Sequence, residues 1–199
     1  MLDGSKHRHK WVNRSIGKQF WEWSACACKK PIYAVAGDFA DGVPSGDFTS
    51  IPVACAVCGL QRLSARFRGT PKQQADCLAR VVSYLEPKRT WVCGEYNNVG
   101  KAVFSEWLNY GHNRNYFVPR DGDTSHGFDT NRYWFRQTSA SREPALISFR
   151  GAYNREDLRI LDPRFEWDAE GFVRNERGKY CAIEGKSIRT GEKYRDDQV

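Results

Sequence analysis

The pattern of apolar residues predicts five strands. Four of the segments are residues 31–36 (PIYAVA), 48–57 (FTSIPVACAV), 61–69 (QRLSARFRG) and 90–94 (TWVCG). A fifth is 115–119 (NYFVP). PIYAVA is apolar at nearly every position, which is typical of a strand buried on both faces. The second and third segments meet at Cys58 and Gly59 and therefore predict a hairpin.

Two further segments have helical spacing. Thr70 is a helix cap with Pro71 at the first position, and Pro87 ends the segment. The predicted inner face of this helix carries Ala75, Leu78, Val81, Val82 and Leu85. A second helix is predicted over 98–110, after Asn97. Strands alternating with helices after a hairpin indicate an α/β fold, with a central mixed β-sheet flanked by α-helices and ligands at the carboxyl ends of strands.

Composition narrows the class of protein. The 199 residues are 40% hydrophobic, which is enough for the core of one domain. Lys and Arg outnumber Asp and Glu by 31 to 24, giving a net charge of +7 that favours a polyanionic partner such as nucleic acid. Ordinary basic soluble proteins have a similar excess of Lys and Arg, so both interpretations of the charge stay open. Since no apolar run approaches the roughly 20 residues of a membrane helix, we expect a soluble intracellular protein.

Carboxylates follow two of the predicted strands. Asp38 comes after PIYAVA and Glu95 after TWVCG, while Asp47 lies in the loop after the first strand. Asp196 and Asp197 stand near the end of the chain in RDDQV. Acids gathered at neighbouring strand ends are what a metal-dependent phosphodiesterase requires. Each acid taken alone is equally consistent with a solvated turn residue or a helix cap.

The seven cysteines offer a second candidate metal site. Cys26 and Cys28 form CxC, and Cys55 and Cys58 form CxxC, so a zinc site with four thiolates is conceivable. The CxC half differs from the CxxC spacing that is usual in zinc knuckles, and a predicted strand separates the two halves. The spacing therefore argues against structural zinc and favours small buried thiols.

Five blocks of sequence occur in order along the chain: AGDFADGVPSGDFTS, GEYNNVGKAVFSEWLNYGH, GFDTN, FVRNERGKYCAIEGK and RDDQV. Together these blocks resemble the nuclease domain of the large terminase subunit of tailed bacteriophages. The resemblance implies a ribonuclease H-like fold and an endodeoxyribonuclease dependent on Mg²⁺ or Mn²⁺. By two-metal hydrolysis, such an enzyme cuts double-stranded concatemeric viral DNA during genome packaging.

The resemblance assigns roles to individual residues. Asp38, Glu95, Asp196 and Asp197 match the catalytic, metal-binding acids of the family, and Asp47 matches an acid with a supporting role at the metal. Arg195 departs from the family, in which His often precedes the Asp pair. Candidate DNA-binding residues are the basic side chains Arg66, Arg68, Arg132, Arg136, Arg174, Arg177 and Lys179. A long polar loop over 119–145 is expected to lie over a DNA groove.

The expected organisation is a basic tail or linker at 1–18 followed by a nuclease domain at 19–199. The resemblance implies an excised or truncated domain that lacks the ATPase motor and the rest of its last helix. Its implied partners are double-stranded DNA, the portal protein, the small terminase subunit and its own ATPase domain, in the cytoplasm of the infected host at the procapsid portal. Two alternatives remain open: a non-catalytic zinc- and DNA-binding module, and another ribonuclease H-like nuclease such as a junction resolvase.

Overall fold

A computed structural model describes most of the middle of the chain. It covers residues 20–23, 25–44, 46–110, 134–135, 139–170, 172–174, 176 and 180–182. The tail predicted at 1–18 and the strand predicted at 115–119 lie outside these residues.

A five-stranded mixed sheet forms the centre of the described structure. Its strands are β1 (Phe20–Glu22), β2 (Tyr33–Gly37), β3 (Thr49–Cys55), β4 (Gln61–Phe67) and β5 (Thr90–Gly94), in the order β1-β4-β3-β2-β5. Strands β2 and β5 are parallel, and the other pairs are antiparallel. Two short strands, β6 (Phe172–Arg174) and β7 (Tyr180–Ala182), pair separately. The predicted mixed sheet is confirmed.

The hairpin β3–β4 is confirmed, and its turn is closely packed. Gly59 has a φ of +69°, which suits a residue without a Cβ atom. A Cβ at Gly59 would also lie 1.6 Å from the carbonyl oxygen of Asp157. A larger residue at position 59 would therefore push the chain segment around Asp157 away from the turn.

The two predicted helices are present, and both cover the same face of the sheet. They are α1 (Pro71–Tyr84) and α2 (Asn98–Leu108). Thr70 and Gln73 form a reciprocal capping box at the start of α1. The five apolar residues predicted for the inner face of α1 are all buried and pack with Val35 and Val92 of the sheet. This face holds the main hydrophobic core.

The opposite face is covered less tightly than predicted. Strand β2 alternates between buried and exposed residues, so the prediction that both of its faces are buried is wrong. Ala34 and Ala36 border an apolar cavity of about 330 Å³ whose far wall includes Phe149 and Phe165. The small alanine side chains leave this space open, which explains the difference.

Two helices lie beyond the predicted elements, α3 (Ser139–Asn154) and α4 (Pro163–Glu170). The prediction of a loop over 119–145 is therefore wrong for 139–145, and the earlier part of that range is described only at 134–135. The first turns of α3 are polar and contain Pro144, and Ile147 remains exposed, so α3 shows no clear apolar stripe. Every helix in the described part of the chain is too short or too polar to span a bilayer.

Candidate active site

The fold places Asp38 and Glu95 side by side. Gly37 and Gly94 are paired in the parallel register of β2 and β5, and each acid is the next residue along its strand. Neighbouring strands lie about 4.8 Å apart, and paired residues project from the same face. The burial pattern assigns this face to Ala36 and Cys93, opposite the α1–α2 core. Both acids are half-buried, so they remain accessible from solvent.

Backbone hydrogen bonds fix the position of each acid. Asp38 and Ser50 exchange N–H···O bonds of 2.9 Å in both directions, which extends the pairing of β2 and β3 past Gly37. The N–H group of Glu95 donates to the carbonyl oxygen of Gly37 at 2.7 Å. The two carboxylates therefore stand on backbone that belongs to the sheet rather than to a loop.

An aromatic pair lies on the opposite face, directly behind the two acids. The rings of Phe39 and Trp134 are stacked with centroids 5.4 Å apart. A Cβ at Gly37 would come within 2.3 Å of Phe39, and one at Gly94 would come within 2.5 Å of Phe39 and 2.7 Å of Trp134. Because the residue before each acid is a glycine, the aromatic rings can pack directly against the strand backbone. Sequence reasoning missed this role of the three residues Gly37, Gly94 and Trp134, although a glycine before both acids was a visible signal.

Helix α2 begins against the backbone of Glu95. The side chain of Asn97 accepts a hydrogen bond of 2.7 Å from the N–H group of Gly100, which confirms the predicted cap. A Cβ at Gly100 would lie 1.8 Å from the carbonyl oxygen of Glu95. Phe135 adds a further strand-like contact, since its N–H group donates to Gly94 at 2.9 Å and its carbonyl accepts from Tyr96 at 2.6 Å. Glu95 is therefore held by both a helix start and a neighbouring chain segment.

Asp47 lies in an exposed loop that two arginines anchor. Arg68 donates two hydrogen bonds to the carbonyl oxygen of Gly46, at 3.0 and 2.9 Å. The guanidinium groups of Arg66 and Arg68 lie over the ring of Phe48, at 4.7 and 3.7 Å from its centroid. Arg68 thus contacts the residues on both sides of Asp47, and Arg66 contacts Phe48 on one side. A part in DNA binding remains a prediction for Arg66 and Arg68.

The remaining predicted site residues are not located. Asp196, Asp197, Arg132, Arg136, Arg177 and Lys179 lie outside the described residues. Arg174 ends β6. Their assigned roles remain predictions.

The donor chemistry at the strand ends suits a hard divalent cation. Carboxylate oxygens are the ligands that Mg²⁺ and Mn²⁺ prefer in proteins, and both acids are accessible. Asp38 and Glu95 would supply two such ligands from a rigid backbone. Asp196 and Asp197 are the predicted source of the others.

Four cysteines come together at the other end of β2. The sulfur atoms of Cys26, Cys28, Cys55 and Cys58 all lie within 4.8 Å of one another. The spacing of the two halves argues against a shared site, but it does not keep the four sulfur atoms apart. The intervening strand β2 pairs with β3, with Tyr33 opposite Cys55, and this pairing brings the CxC and CxxC halves together.

The surroundings of the cysteines shift their pKa values in different directions. Burial raises the pKa of Cys55, but hydrogen bonds from the N–H groups of Val57 and Cys58 and from neighbouring thiols outweigh burial and lower the pKa to about 7. Cys77 and Cys93 lie apart from this group, and burial raises the pKa of Cys93 to about 11. Cys77 is the expected buried thiol, and Cys93 is half-buried.

Comparison with solved structures identifies the fold. The large terminase nuclease from thermophilic phage G20c with bound magnesium superposes with a TM-score of 0.65 and 14% identity, over 96% of this chain and 84% of that one. The same nuclease with bound cobalt gives a TM-score of 0.67 and 14% identity, over 97% and 85%. The large terminase nuclease domain of Thermus phage P74-26 gives 0.54 and 14%, over 84% and 74%.

These similarities confirm the ribonuclease H-like fold and, at the level of fold, the resemblance to terminase nucleases. No protein-family model matches the sequence. The sequence also finds no match among curated proteins.

Proposed function

We propose that the protein is a metal-dependent endonuclease that cuts double-stranded DNA. The observation that carries the proposal is the placement of Asp38 and Glu95 in adjacent register at the carboxyl ends of the central parallel strands β2 and β5. The terminase nucleases that share the fold include forms with bound magnesium and cobalt, which supports a divalent cation here.

The residues of this chain would hold two Mg²⁺ or Mn²⁺ ions through Asp38, Glu95 and the pair Asp196 and Asp197, with Asp47 in support. When bound, the ions would supply positive charge to the phosphate oxygens during hydrolysis. The carboxylates supply the ligands, and the sheet keeps Asp38 and Glu95 at a fixed separation. Because like charges repel, we expect ion binding to be weak until a DNA phosphate is present.

The substrate we propose is concatemeric viral DNA, cut during packaging at the procapsid portal in the cytoplasm of an infected bacterium. The net charge of +7 favours contact with a polyanion. In this setting the partners are the portal protein, the small terminase subunit and an ATPase domain.

The test is cleavage of supercoiled plasmid DNA with Mn²⁺, Mg²⁺ or EDTA. We expect nicking and linearisation with either metal and none with EDTA. Asp38→Asn and Glu95→Gln should each lower the rate at least about 100-fold, because each removes a charged ligand while keeping the shape of the side chain.

Asp157→Asn is the matched control. Its carboxylate is exposed and pairs with Arg155, away from the strand ends that carry Asp38 and Glu95. We expect wild-type cutting from this variant. Cutting that survives in both Asp38→Asn and Glu95→Gln would overturn the assignment of the site.

A further inference from the structure

The group formed by Cys26, Cys28, Cys55 and Cys58, here called the cysteine cluster, has the dimensions of a metal site. A tetrahedral Zn²⁺ ion with Zn–S bonds of about 2.3 Å places its sulfur ligands about 3.8 Å apart. The sulfur atoms of Cys28 and Cys55 lie 4.0 Å apart, and all four lie within 4.8 Å. A disulfide requires about 2.05 Å. The spacing thus fits four thiolates around one ion and does not fit a disulfide.

The second half of the cluster has the local structure of a metal-binding turn. Cys55 ends β3, and the turn brings Cys58 back toward it, with Gly59 donating to the carbonyl oxygen of Cys55 at 2.7 Å. Gly59, at φ +69°, allows the chain to leave the turn.

The first half lies in a segment with little other support. Residues 25–32 contain no helix or strand and connect the three-residue edge strand β1 to β2. Two contacts to neighbouring elements near its end are the bond from Ala56 to the carbonyl oxygen of Ile32, at 2.7 Å, and the bond from Arg89 to that of Pro31, at 2.7 Å. Cys26 and Cys28 themselves face the β3–β4 turn through their sulfur atoms. A cross-link through Cys26 and Cys28 would hold in place a segment that has no helical or sheet hydrogen bonds of its own.

We propose that the cysteine cluster binds one structural Zn²⁺ ion through Cys26, Cys28, Cys55 and Cys58. Four protein thiolates complete a tetrahedral shell and leave no open position for a substrate, as in structural zinc sites. The cluster also lies at the opposite end of β2 from Asp38, about 17 Å away over five residues of strand. Its role is to join residues 25–32 to the β3–β4 hairpin, apart from the acids.

The first experiment measures metal content. The full chain, purified without added chelator, is analysed for zinc and iron by plasma mass spectrometry, and its free thiols are counted under denaturing conditions. We expect one zinc per chain and seven free thiols. Absence of zinc even after reconstitution under reducing conditions, one iron in its place, or a disulfide among the four cysteines would overturn the proposal.

Variants then test the ligands. Cys28→Ala and Cys58→Ala should each lose the zinc, whereas Cys93→Ala removes a thiol outside the cluster and should retain one zinc per chain. Asp38→Asn should also retain it, which separates this site from the acids. Zinc that persists in both Cys28→Ala and Cys58→Ala would contradict the ligand assignment.

Cobalt substitution gives a readout that does not depend on variants. Co²⁺ bound by four thiolates absorbs strongly through sulfur-to-metal charge transfer, and binding by carboxylates does not produce this band. We expect the band in the wild-type protein, its loss when zinc is added, and a fall in Tm of at least about 5 °C when the zinc is removed. Saturation with cobalt without the band would overturn thiolate coordination.

Discussion

At the scale of single residues, the candidate site depends on two glycines, which lack side chains, as much as on the acids that follow them. Gly37 and Gly94 each precede a carboxylate and give their Cβ space to Phe39 and Trp134. Because Gly37 and Gly94 are paired in the parallel register, the spaces left by their missing Cβ atoms lie next to each other. The aromatic rings therefore support the strand ends from the side opposite the carboxylates.

Gly94→Ala tests this support. The new methyl group would lie 2.5 Å from Phe39 and 2.7 Å from Trp134, so the rings or the strand must move. We expect a loss of about 1–3 kcal/mol in the free energy of unfolding, measured with urea, and slower plasmid cutting. Gly151→Ala is the control, since its Cβ would meet only the end of the flexible Arg155 side chain at 3.1 Å. That helix position should be neutral or gain up to about 1 kcal/mol. Equal stability of the two variants would contradict the proposed support.

At the scale of secondary-structure elements, the start of α2 connects helix stability to the site. Asn97 caps the helix, and the first turn packs against the carbonyl oxygen of Glu95 through Gly100. The start of α1 is also capped, by the reciprocal bonds of Thr70 and Gln73. Variants of the two caps can therefore distinguish a general loss of stability from a loss of order at Glu95.

Asn97→Ala and Thr70→Ala should cost a similar free energy of unfolding, about 1 kcal/mol each. Only Asn97→Ala should also slow plasmid cutting, by about tenfold or more, because Glu95 would lose part of its fixed position. Urea unfolding and cutting rates measured on the same preparations provide the comparison. Unchanged cutting by Asn97→Ala would show that the helix start does not position Glu95.

The elements that could be predicted were those with strong local signals. The four strands β2 to β5 of the main sheet, together with α1 and α2, follow from apolar periodicity, caps and prolines. Helix α3 was missed because it has a polar start, an internal proline and an exposed Ile147. Helix α4 is only eight residues long and was also missed. At the site, Asp38 and Glu95 could be found because each follows a predicted strand. The position of Trp134 could not be predicted, and the four cysteines could be named but not placed together, because pairing between distant segments creates both environments.

At the scale of the whole molecule, hydrogen bonds around a buried ion pair join the start of α4 to strand β4 of the sheet. Asp162 and Arg164 form this pair at the start of α4, with side chains 0% and 8% exposed. Gln61 of β4 accepts from the N–H groups of Leu161 and Asp162 at 2.7 and 2.9 Å. These polar contacts sit beside the apolar cavity, where hydrophobic packing between the layers is incomplete.

Arg164→Met should therefore be strongly destabilising, by about 3–5 kcal/mol, because it leaves the Asp162 carboxylate buried without its partner. The double variant Asp162→Asn with Arg164→Met should recover part of this loss, since no charge then remains buried. Arg155→Met breaks an exposed pair with Asp157 and should cost less than about 1 kcal/mol. Thermal and urea unfolding of the four proteins form the test. Similar losses in Arg164→Met and Arg155→Met would argue against a structural role for the buried pair.

The sheet bonds at Asp38 and Glu95 also bear on amide hydrogen exchange. The N–H groups of both residues donate to neighbouring strands, so these amides should exchange with solvent only when the central sheet itself opens. The backbone at the two acids therefore becomes ordered when the sheet folds, and no ligand is needed to order it. A ligand of these carboxylates consequently binds without the loss of backbone entropy that a loop site would incur.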